Sequence, residues 1–264
     1  MRKYLSVILL IMFMFAFCKK DKMVNIDPSV KDADKKIYQK AKKYMKRDPE
    51  KARLLFKEVL QIFPNSIYAK KAKLGIADSY FREKDAASLL MAASEYQDYV
   101  NLYPKSPDAV YAKYQIAICY YKQRRKPGRD QKYTKMSIKA FESLIKQYPG
   151  TEEAKDAEKK IKIARSILAK HYFLIGYYNY KLKAYEGAIQ RFKDVMAEYP
   201  DFKLMDKLFY FAGKSYYKLK DYKSAISFFQ RIINSYPKSK YAKKSKKRIM
   251  KLTKLINKQE SVKK

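Results

Sequence analysis

The segment AIQRFKDVMAEYP, from Ala188 to Pro200, decides the fold because its skeleton occurs five times along the chain. A small residue is followed four positions later by an aromatic residue, and eleven and twelve positions later by an aromatic–proline pair. The other copies are ARLLFKEVLQIFP (52–64), AASEYQDYVNLYP (92–104), SIKAFESLIKQYP (137–149) and AISFFQRIINSYP (225–237). Recurrence in one register indicates a repeat protein.

Helical geometry accounts for the spacing within each copy. In the opening segment, one face of a helix carries Ala188, Phe192, Val195, Met196 and Tyr199. The small residue allows a neighbouring helix to approach, and the aromatic ring fills the space between the two helices. Because proline cannot continue a helix interior, each copy predicts a helix that ends at its aromatic–proline pair.

A second helix is predicted before each copy, followed by a short polar turn. This helix is recognised by a small residue three positions before a tyrosine, as in Ala77–Tyr80, Ala117–Tyr120 and Gly213–Tyr216. This arrangement resembles the tetratricopeptide repeat, whose unit has about 34 residues. The repeat prolines stand at positions 64, 104, 149, 200 and 237, so the connections are longer than in that unit.

The predicted fold is all-α: an α-solenoid of five tetratricopeptide-like helix pairs with a C-terminal capping helix. The solenoid covers residues 32–257, with three repeats in 32–150 and two repeats plus the cap in 151–257, and a basic tail follows at 258–264. Residues 151–182 contain no proline and predict one long helix that joins the two groups of repeats.

The N-terminus predicts an export signal at residues 1–17 rather than a part of the fold. Arg2 and Lys3 precede a largely apolar run from Leu5 to Phe17, and Cys18 follows directly. Thirteen residues make a helix of about 20 Å, shorter than a hydrocarbon core of roughly 30 Å. The cysteine resembles that of a bacterial lipobox, which predicts acylation of Cys18, palmitate included, and a flexible tether at 18–31. An uncleaved anchor and a coincidental cysteine are the alternatives.

Few residues suggest catalysis or metal binding. His171 is the single histidine, Cys119 is expected to pack in the interior, and no CxxC or HExxH pattern occurs. We therefore expect no enzymatic activity, no cofactor and no metal, and look to binding surfaces for function.

The first helix of each tetratricopeptide pair mostly forms the groove of such a solenoid. Aromatic side chains there suit an extended peptide end, and the candidates are Phe81, Tyr114, Ile118 and Tyr121. The alternative is that these side chains simply pack between helices.

The formal net charge of +35 has three interpretations: nucleic-acid binding, attraction to an anionic membrane, or a lysine-rich composition spread over solvated faces. The export signal argues against nucleic acid, and the presence of lysine in every repeat favours the third.

Several motifs are similar to those of the BamD family, tetratricopeptide lipoproteins of the outer-membrane β-barrel assembly machine. They include RDQ at 129–131, FESLIKQYP at 141–149, LA at 168–169, YY at 177–178, AIQR at 188–191 and, in the first half, YFREKD at 80–85 and YPKSPDAVYAKYQIAICYY at 103–121. Two positions depart from the family pattern: Tyr172, where glutamate is usual, and Phe17 in the lipobox.

The resemblance implies a non-enzymatic protein that is lipid-anchored on the periplasmic face of the outer membrane. It implies that the C-terminal repeats bind a BamA-type insertase, with Arg191 at the contact, and that other assembly lipoproteins join the complex. It also implies that the N-terminal groove receives unfolded outer-membrane proteins. Rival hypotheses are another exported tetratricopeptide lipoprotein, such as a secretin pilotin or a cell-envelope coordinator, and a nucleic-acid-binding repeat protein.

Overall fold

The computed structural model describes residues 29–263, so the predicted signal at 1–17, Cys18 and most of the tether lie outside the described residues. Within the described range the chain forms eleven α-helices and no strand. They are α1 (Ala33–Tyr44), α2 (Pro49–Ile62), α3 (Ile67–Glu83), α4 (Ala86–Leu102), α5 (Ala109–Lys122), α6 (Lys132–Gln147), α7 (Glu152–Lys181), α8 (Tyr185–Glu198), α9 (Met205–Lys218), α10 (Tyr222–Ser235) and α11 (Lys240–Lys263).

In chain order the described helices can be taken two at a time as five pairs followed by one final helix, which confirms the predicted all-α repeat fold. The five sequence copies coincide with the second helix of each pair, namely α2, α4, α6, α8 and α10. The single helix left over, α11, has the position of the predicted cap and runs to Lys263, through most of the predicted tail.

The chain divides into two compact units, Met1–Arg82 and Glu83–Lys264. In the first unit, α1, α2 and α3 share a core around Ile37, Phe56 and Ile76. In the second unit each helix packs against its successor from α4 to α11. The packing of α6 on α7 continues across residue 150, where the predicted repeat groups divide; that division stays a prediction.

Three positions of the repeated segment are buried in every copy. The small residue is fully buried throughout, at Ala52, Ala92, Ser137, Ala188 and Ala225. The aromatic residue four positions later is at most 1% exposed, at Phe56, Tyr96, Phe141, Phe192 and Phe229. Three residues further on, Val59, Tyr99, Leu144, Val195 and Ile232 are fully buried as well. These three positions therefore supply the core on which the fold is built.

The aromatic–proline pair ends every one of these helices in the same way. The helix stops one residue before the aromatic, whose φ lies between −127° and −135° and whose N–H donates to the carbonyl four residues earlier. The following proline disfavours helical backbone at the aromatic residue. The predicted helix ends are thus confirmed in all five copies.

The long helix α7 also agrees with its prediction, since it spans 30 residues within the proline-free segment. The Thr151 hydroxyl accepts from the Ala154 N–H at 3.2 Å and caps the helix. Glu152 and Glu153 lie in the first turn and Lys181 in the last, where each charge suits the helix dipole.

We predict that Phe229→Ala lowers the free energy of unfolding by about 3–5 kcal/mol, because a fully buried ring leaves a cavity between helices. Denaturant unfolding followed by far-ultraviolet circular dichroism measures this. The matched control is Phe228→Ala, because the neighbouring ring is only half-buried and should lose clearly less stability. Equal losses for the two variants would contradict the assignment of Phe229, the repeat aromatic, as the core residue.

Candidate partner-binding surfaces

Two tyrosines of the predicted groove are linked through α7 by a chain of polar contacts. The Tyr114 hydroxyl on α5 donates to the Oδ2 of Asp156 on α7. Lys160 Nζ lies 2.9 Å from the same oxygen. Lys160 Nζ also lies 5.6 Å from the ring centroid of Tyr121, which follows Tyr114 by about two helical turns along α5. The exposed side of the α5–α7 contact therefore carries alternating aromatic and charged groups.

The rings of Tyr114 and Tyr121 both rest on the buried repeat aromatic Phe141. Their centroids lie 6.2 Å and 5.9 Å from that of Phe141. Each ring is half-buried, so one side packs on the core while the other remains available to a ligand.

The remaining two groove candidates occupy different environments. Ile118 is 8% exposed and contributes mainly to the interior of the second unit. Phe81 is half-buried on α3 in the first unit. The structure thus brings Tyr114, Ile118 and Tyr121 together on α5, whereas Phe81 belongs to the other compact unit.

The hydrogen bond between Tyr114 and Asp156 changes the pKa of both residues. Burial opposes the charge of Asp156, but the hydrogen bonds from Tyr114 and Lys160 and the nearby lysine charges outweigh it, so its pKa lies below the usual value. Burial and the adjacent carboxylate raise the pKa of Tyr114. At neutral pH the pair is therefore a phenol that donates to a carboxylate, which is a charge-assisted hydrogen bond.

The connection between α5 and α6 is folded around one buried polar side chain that the sequence did not reveal as buried. Gln131, the last residue of the RDQ motif, is 3% exposed. Its Nε2 donates to the carbonyls of Lys126 at 2.9 Å and Arg129 at 2.8 Å. Its Oε1 accepts from the Thr134 hydroxyl at 2.8 Å. The Gln131 amide thus links two carbonyls of the nine-residue connection 123–131 to the first turn of α6.

His171 attaches the same connection to the long helix. Its Nδ1 lies 2.7 Å from the carbonyl oxygen of Pro127. A carbonyl only accepts, so Nδ1 carries the proton and donates. The single histidine thus has a structural role in the part of the chain that is described.

Arg124 extends the basic and aromatic character of the α5 surface. Its Nη1 donates to the carbonyl of Tyr121 at 2.7 Å, and its Cζ lies 3.8 Å from the ring centroid of Tyr121. This is stacking of a guanidinium on an aromatic face. Tyr121 therefore presents a ring flanked by two cations, Arg124 and Lys160.

Arg191, the predicted partner contact, lies on α8 next to the buried Phe192. Its side chain is 49% exposed, and Nη1 lies 3.4 Å from the Oδ2 of Asp194. An exposed pair of this length contributes at most about 1 kcal/mol. The guanidinium is therefore held only weakly and can exchange its partner.

A second basic and aromatic surface lies on α7 and α9, and sequence analysis did not single it out. Lys207 Nζ is 5.3 Å from the ring centroid of Tyr177. Lys214 Nζ is 4.9 Å from the ring centroid of Tyr180 and 5.5 Å from that of Phe211. The sequence indicates the tyrosines through the YY motif and the lysines through the helix that precedes the fifth copy. It does not show that the two groups lie close together, because their proximity depends on tertiary packing.

An open cavity of about 810 Å³ lies between α7 and the turn after Pro200. Arg165 Nη2 crosses its edge and donates to the carbonyl of Glu198 at 2.8 Å. Burial, followed by the charge of Glu198, raises the pKa of Tyr199 to about 12. Tyr172, which departs from the BamD pattern, stacks on Tyr199 with centroids 6.1 Å apart.

Residues 29–263 contain no cluster of three or more histidine, cysteine or acidic side chains placed to hold a metal ion. None of the helices in that range is long and apolar enough to cross a membrane.

Tandem helices with this repeated buried segment are typical of tetratricopeptide repeat proteins, and a tetratricopeptide family model matches residues 209–239. The chain belongs to the outer membrane lipoprotein family YfiO, whose model matches residues 30–222.

Curated relatives carry the name outer membrane protein assembly factor BamD. The chain is 30% identical to that of Rickettsia prowazekii over 75% of its own length and 76% of the relative. It is 32% identical to that of Caulobacter vibrioides over 54% of its length and 46% of the relative, less than half of that protein. It is 22% identical to that of Neisseria gonorrhoeae over 71% and 72% of the two chains.

Among solved structures, the chain is similar to the TPR2AB domain of yeast Sti1 in complex with an HSP90 peptide. The TM-score is 0.44, with 14% identity over 86% of each chain. It is also similar to the MamA protein, with a TM-score of 0.33 and 15% identity over 78% of this chain and 96% of that one.

We predict that Tyr114→Phe lowers the free energy of unfolding at neutral pH by about 0.5–1.5 kcal/mol, because the Asp156 carboxylate loses a donor. The pKa of Asp156 is depressed in the folded state, so its contribution is present above the unfolded pKa. That contribution is lost as pH falls through the folded pKa, and the deficit of the variant should shrink in acid.

Unfolding curves at neutral pH and at a pH below the Asp156 pKa measure the effect. Tyr121→Phe is the matched control, since its ring contacts remain while its hydroxyl is removed. A deficit of Tyr114→Phe that is independent of pH would contradict the role of the carboxylate.

Proposed function

We propose that this protein is a non-enzymatic scaffold of the machinery that assembles β-barrel proteins in the outer membrane. It is anchored by acylated Cys18 and lies on the periplasmic face. The observation that carries the proposal is the family match over residues 30–222, together with relatives named as assembly factors. The tandem helix pairs support it, because such folds act by presenting surfaces to partners.

In this proposal the α5 surface receives unfolded outer-membrane proteins. Tyr114 and Tyr121 offer half-buried rings, and Arg124 and Lys160 place positive charge beside Tyr121. Rings supply contact area, and cations attract the carboxylate at the end of a chain. Phe81 and Ile118 stay candidates for the same role in their own units.

The second proposed contact joins a BamA-type insertase to the C-terminal repeats at Arg191. The exposed guanidinium and its weak ion pair with Asp194 support this assignment, because little is lost when a partner carboxylate replaces Asp194. Other assembly lipoproteins complete the complex.

Affinity purification of the tagged full chain from solubilised envelopes tests the proposal. A large β-barrel insertase should co-purify with the protein. Recovery of a secretin, or of other envelope proteins without a β-barrel insertase, would replace the assembly role by another lipoprotein function. Recovery of the protein from the cytosol, bound to nucleic acid, would exclude both the assembly role and any other lipoprotein function.

We expect Arg191→Glu to reduce co-purification of the insertase at least several-fold, because a carboxylate then faces the partner's acceptor groups. The matched control is Lys193→Glu, which makes the same charge change at an exposed position of the same helix. Helical content should be unchanged in both. Equal recovery with both variants would show that Arg191 is not the contact.

We also expect Cys18→Ser to abolish labelling by a radioactive fatty acid and to prevent signal cleavage at this site. Lipid chains contribute about 0.8 kcal/mol per buried methylene, so they dominate membrane retention. Metabolic labelling followed by immunoprecipitation measures this, and label retained in the variant would place the acyl group elsewhere. Cys119→Ser serves as the control, because that thiol is buried in the fold.

A further inference from the structure

The distribution of acidic residues singles out the C-terminal part of the chain. Between Tyr222 and Gln259 the sequence contains no aspartate and no glutamate. The same segment contains the basic residues Lys223, Arg231, Lys238, Lys240, Lys243, Lys244, Lys246, Lys247, Arg248, Lys251, Lys254 and Lys258. Within α11 the acid-free stretch runs from Lys240 to Gln259, so the lysines of this stretch have no acidic residue among them in their own helix before Glu260.

The packing of α11 determines which side of this helix faces away from the protein. It packs mainly against α10, with further contacts to α9. Its buried residues are Tyr241, Ala242, Ser245 and Leu252, which recur at helical spacing. Arg248 points to the same side, since its Nε donates to the Tyr210 hydroxyl at 3.3 Å.

The opposite side of α11 is basic and contains an exposed apolar side chain. Lys243, Lys247 and Lys254 are exposed and share this side with Met250, which is 60% exposed. Met250 lies one turn from Lys247 and one turn from Lys254. We call these four residues the α11 outer face. Leu255, 40% exposed, borders it.

We propose that the α11 outer face binds an anionic phospholipid surface. Each lysine near such a surface contributes to attraction, and long lysine stems allow the ammonium groups to reach headgroup phosphates while Met250 enters the apolar boundary. A nucleic acid would satisfy the lysines but offers no apolar layer to Met250, and an acidic protein would need an apolar recess matched to this one side chain. A headgroup layer accommodates both kinds of side chain along one helix.

The site goes beyond the proposed scaffold role, because it requires neither the insertase nor a substrate. It adds a contact with the membrane that is made by the fold itself rather than by the predicted lipid anchor. Proteins that combine an acyl chain with a basic surface are held at membranes more firmly than those with a single acyl chain alone.

The test uses the full chain with Met250→Cys, labelled with an environment-sensitive thiol dye and reconstituted into vesicles. Vesicles of phosphatidylcholine alone are compared with vesicles that also contain phosphatidylglycerol. We expect emission at shorter wavelength and several-fold weaker quenching by acrylamide in the anionic vesicles only, and reversal of both changes at high salt. The protein without the added cysteine gives the background from the two native cysteines, of which Cys119 is buried and Cys18 is blocked when acylated.

Charge variants in the dye-labelled chain identify the face. At about 1 kcal/mol per lysine, the triple change Lys243→Gln, Lys247→Gln, Lys254→Gln should weaken surface association ~100-fold and remove the emission shift. The matched control, Lys139→Gln, Lys170→Gln, Lys193→Gln, removes the same charge from exposed positions of other helices and should leave the shift intact.

Three results would overturn the proposal. One is the same emission in neutral and anionic vesicles. Another is an equal shift with dye at Ile163→Cys, a half-exposed position on α7, which would indicate insertion of the dye alone. The third is a shift produced by polyglutamate and not by anionic vesicles, which would assign the face to an acidic protein. All of these are independent of insertase co-purification.

Discussion

The packing of the C-terminal repeats depends on close contact between a glycine on the first helix of a pair and the buried ring on the second, as between α7 and α8 and between α9 and α10. At Gly213 on α9 a Cβ atom would lie 2.8 Å from the Phe229 ring on α10, and at Gly176 on α7 the same distance from the Phe192 ring on α8. No ring could occupy these gaps if the first helix carried a larger side chain there. Since the one described cysteine, Cys119, is free, this packing and not a disulfide joins the helices. These contacts position α7 to α10, which carry Arg191 and the basic and aromatic surface of α7 and α9.

The helices and their ends could be predicted from the sequence because their causes are local. A proline acts on the residue before it, and a small residue and an aromatic four positions apart share a helix face whatever lies beyond. The depth of burial was predicted less well. Met196 and its equivalents were expected on the buried face, yet only Val100 of that set is buried, whereas Val195 and its equivalents are fully buried. Met196 lies about 100° around the helix from Val195. The direction from which the neighbouring helix approaches decides which of these two side chains that helix covers.

The candidate sites could be predicted only in part, because their contacts join residues far apart in sequence. Tyr114 was expected in a groove, but its acceptor Asp156 lies 42 residues away. The RDQ motif marked the connection after α5, yet the burial of Gln131 follows from three partners that the fold brings together. For Arg191 the structure contributes an exposed side chain and a weak ion pair, and its role still rests on family resemblance.

The positions of the acidic residues in the structure change the interpretation of the net positive charge. Lysine in every repeat favoured a composition bias, since solvated lysines need no partner. Acidic residues, however, have defined places in this fold: Asp48, Asp85 and Asp221 each cap a helix by accepting from backbone N–H groups. At the start of α11 the Ser239 hydroxyl accepts from the Tyr241 N–H and donates to Asp206 of α9, so the acid at this helix start comes from another helix. Between Lys243 and Lys258, where α11 has no acidic residue, lysines one turn apart repel each other by a few tenths of a kcal/mol per pair. Headgroup phosphates would relieve that repulsion, and this relief favours binding of the α11 outer face to an anionic phospholipid surface.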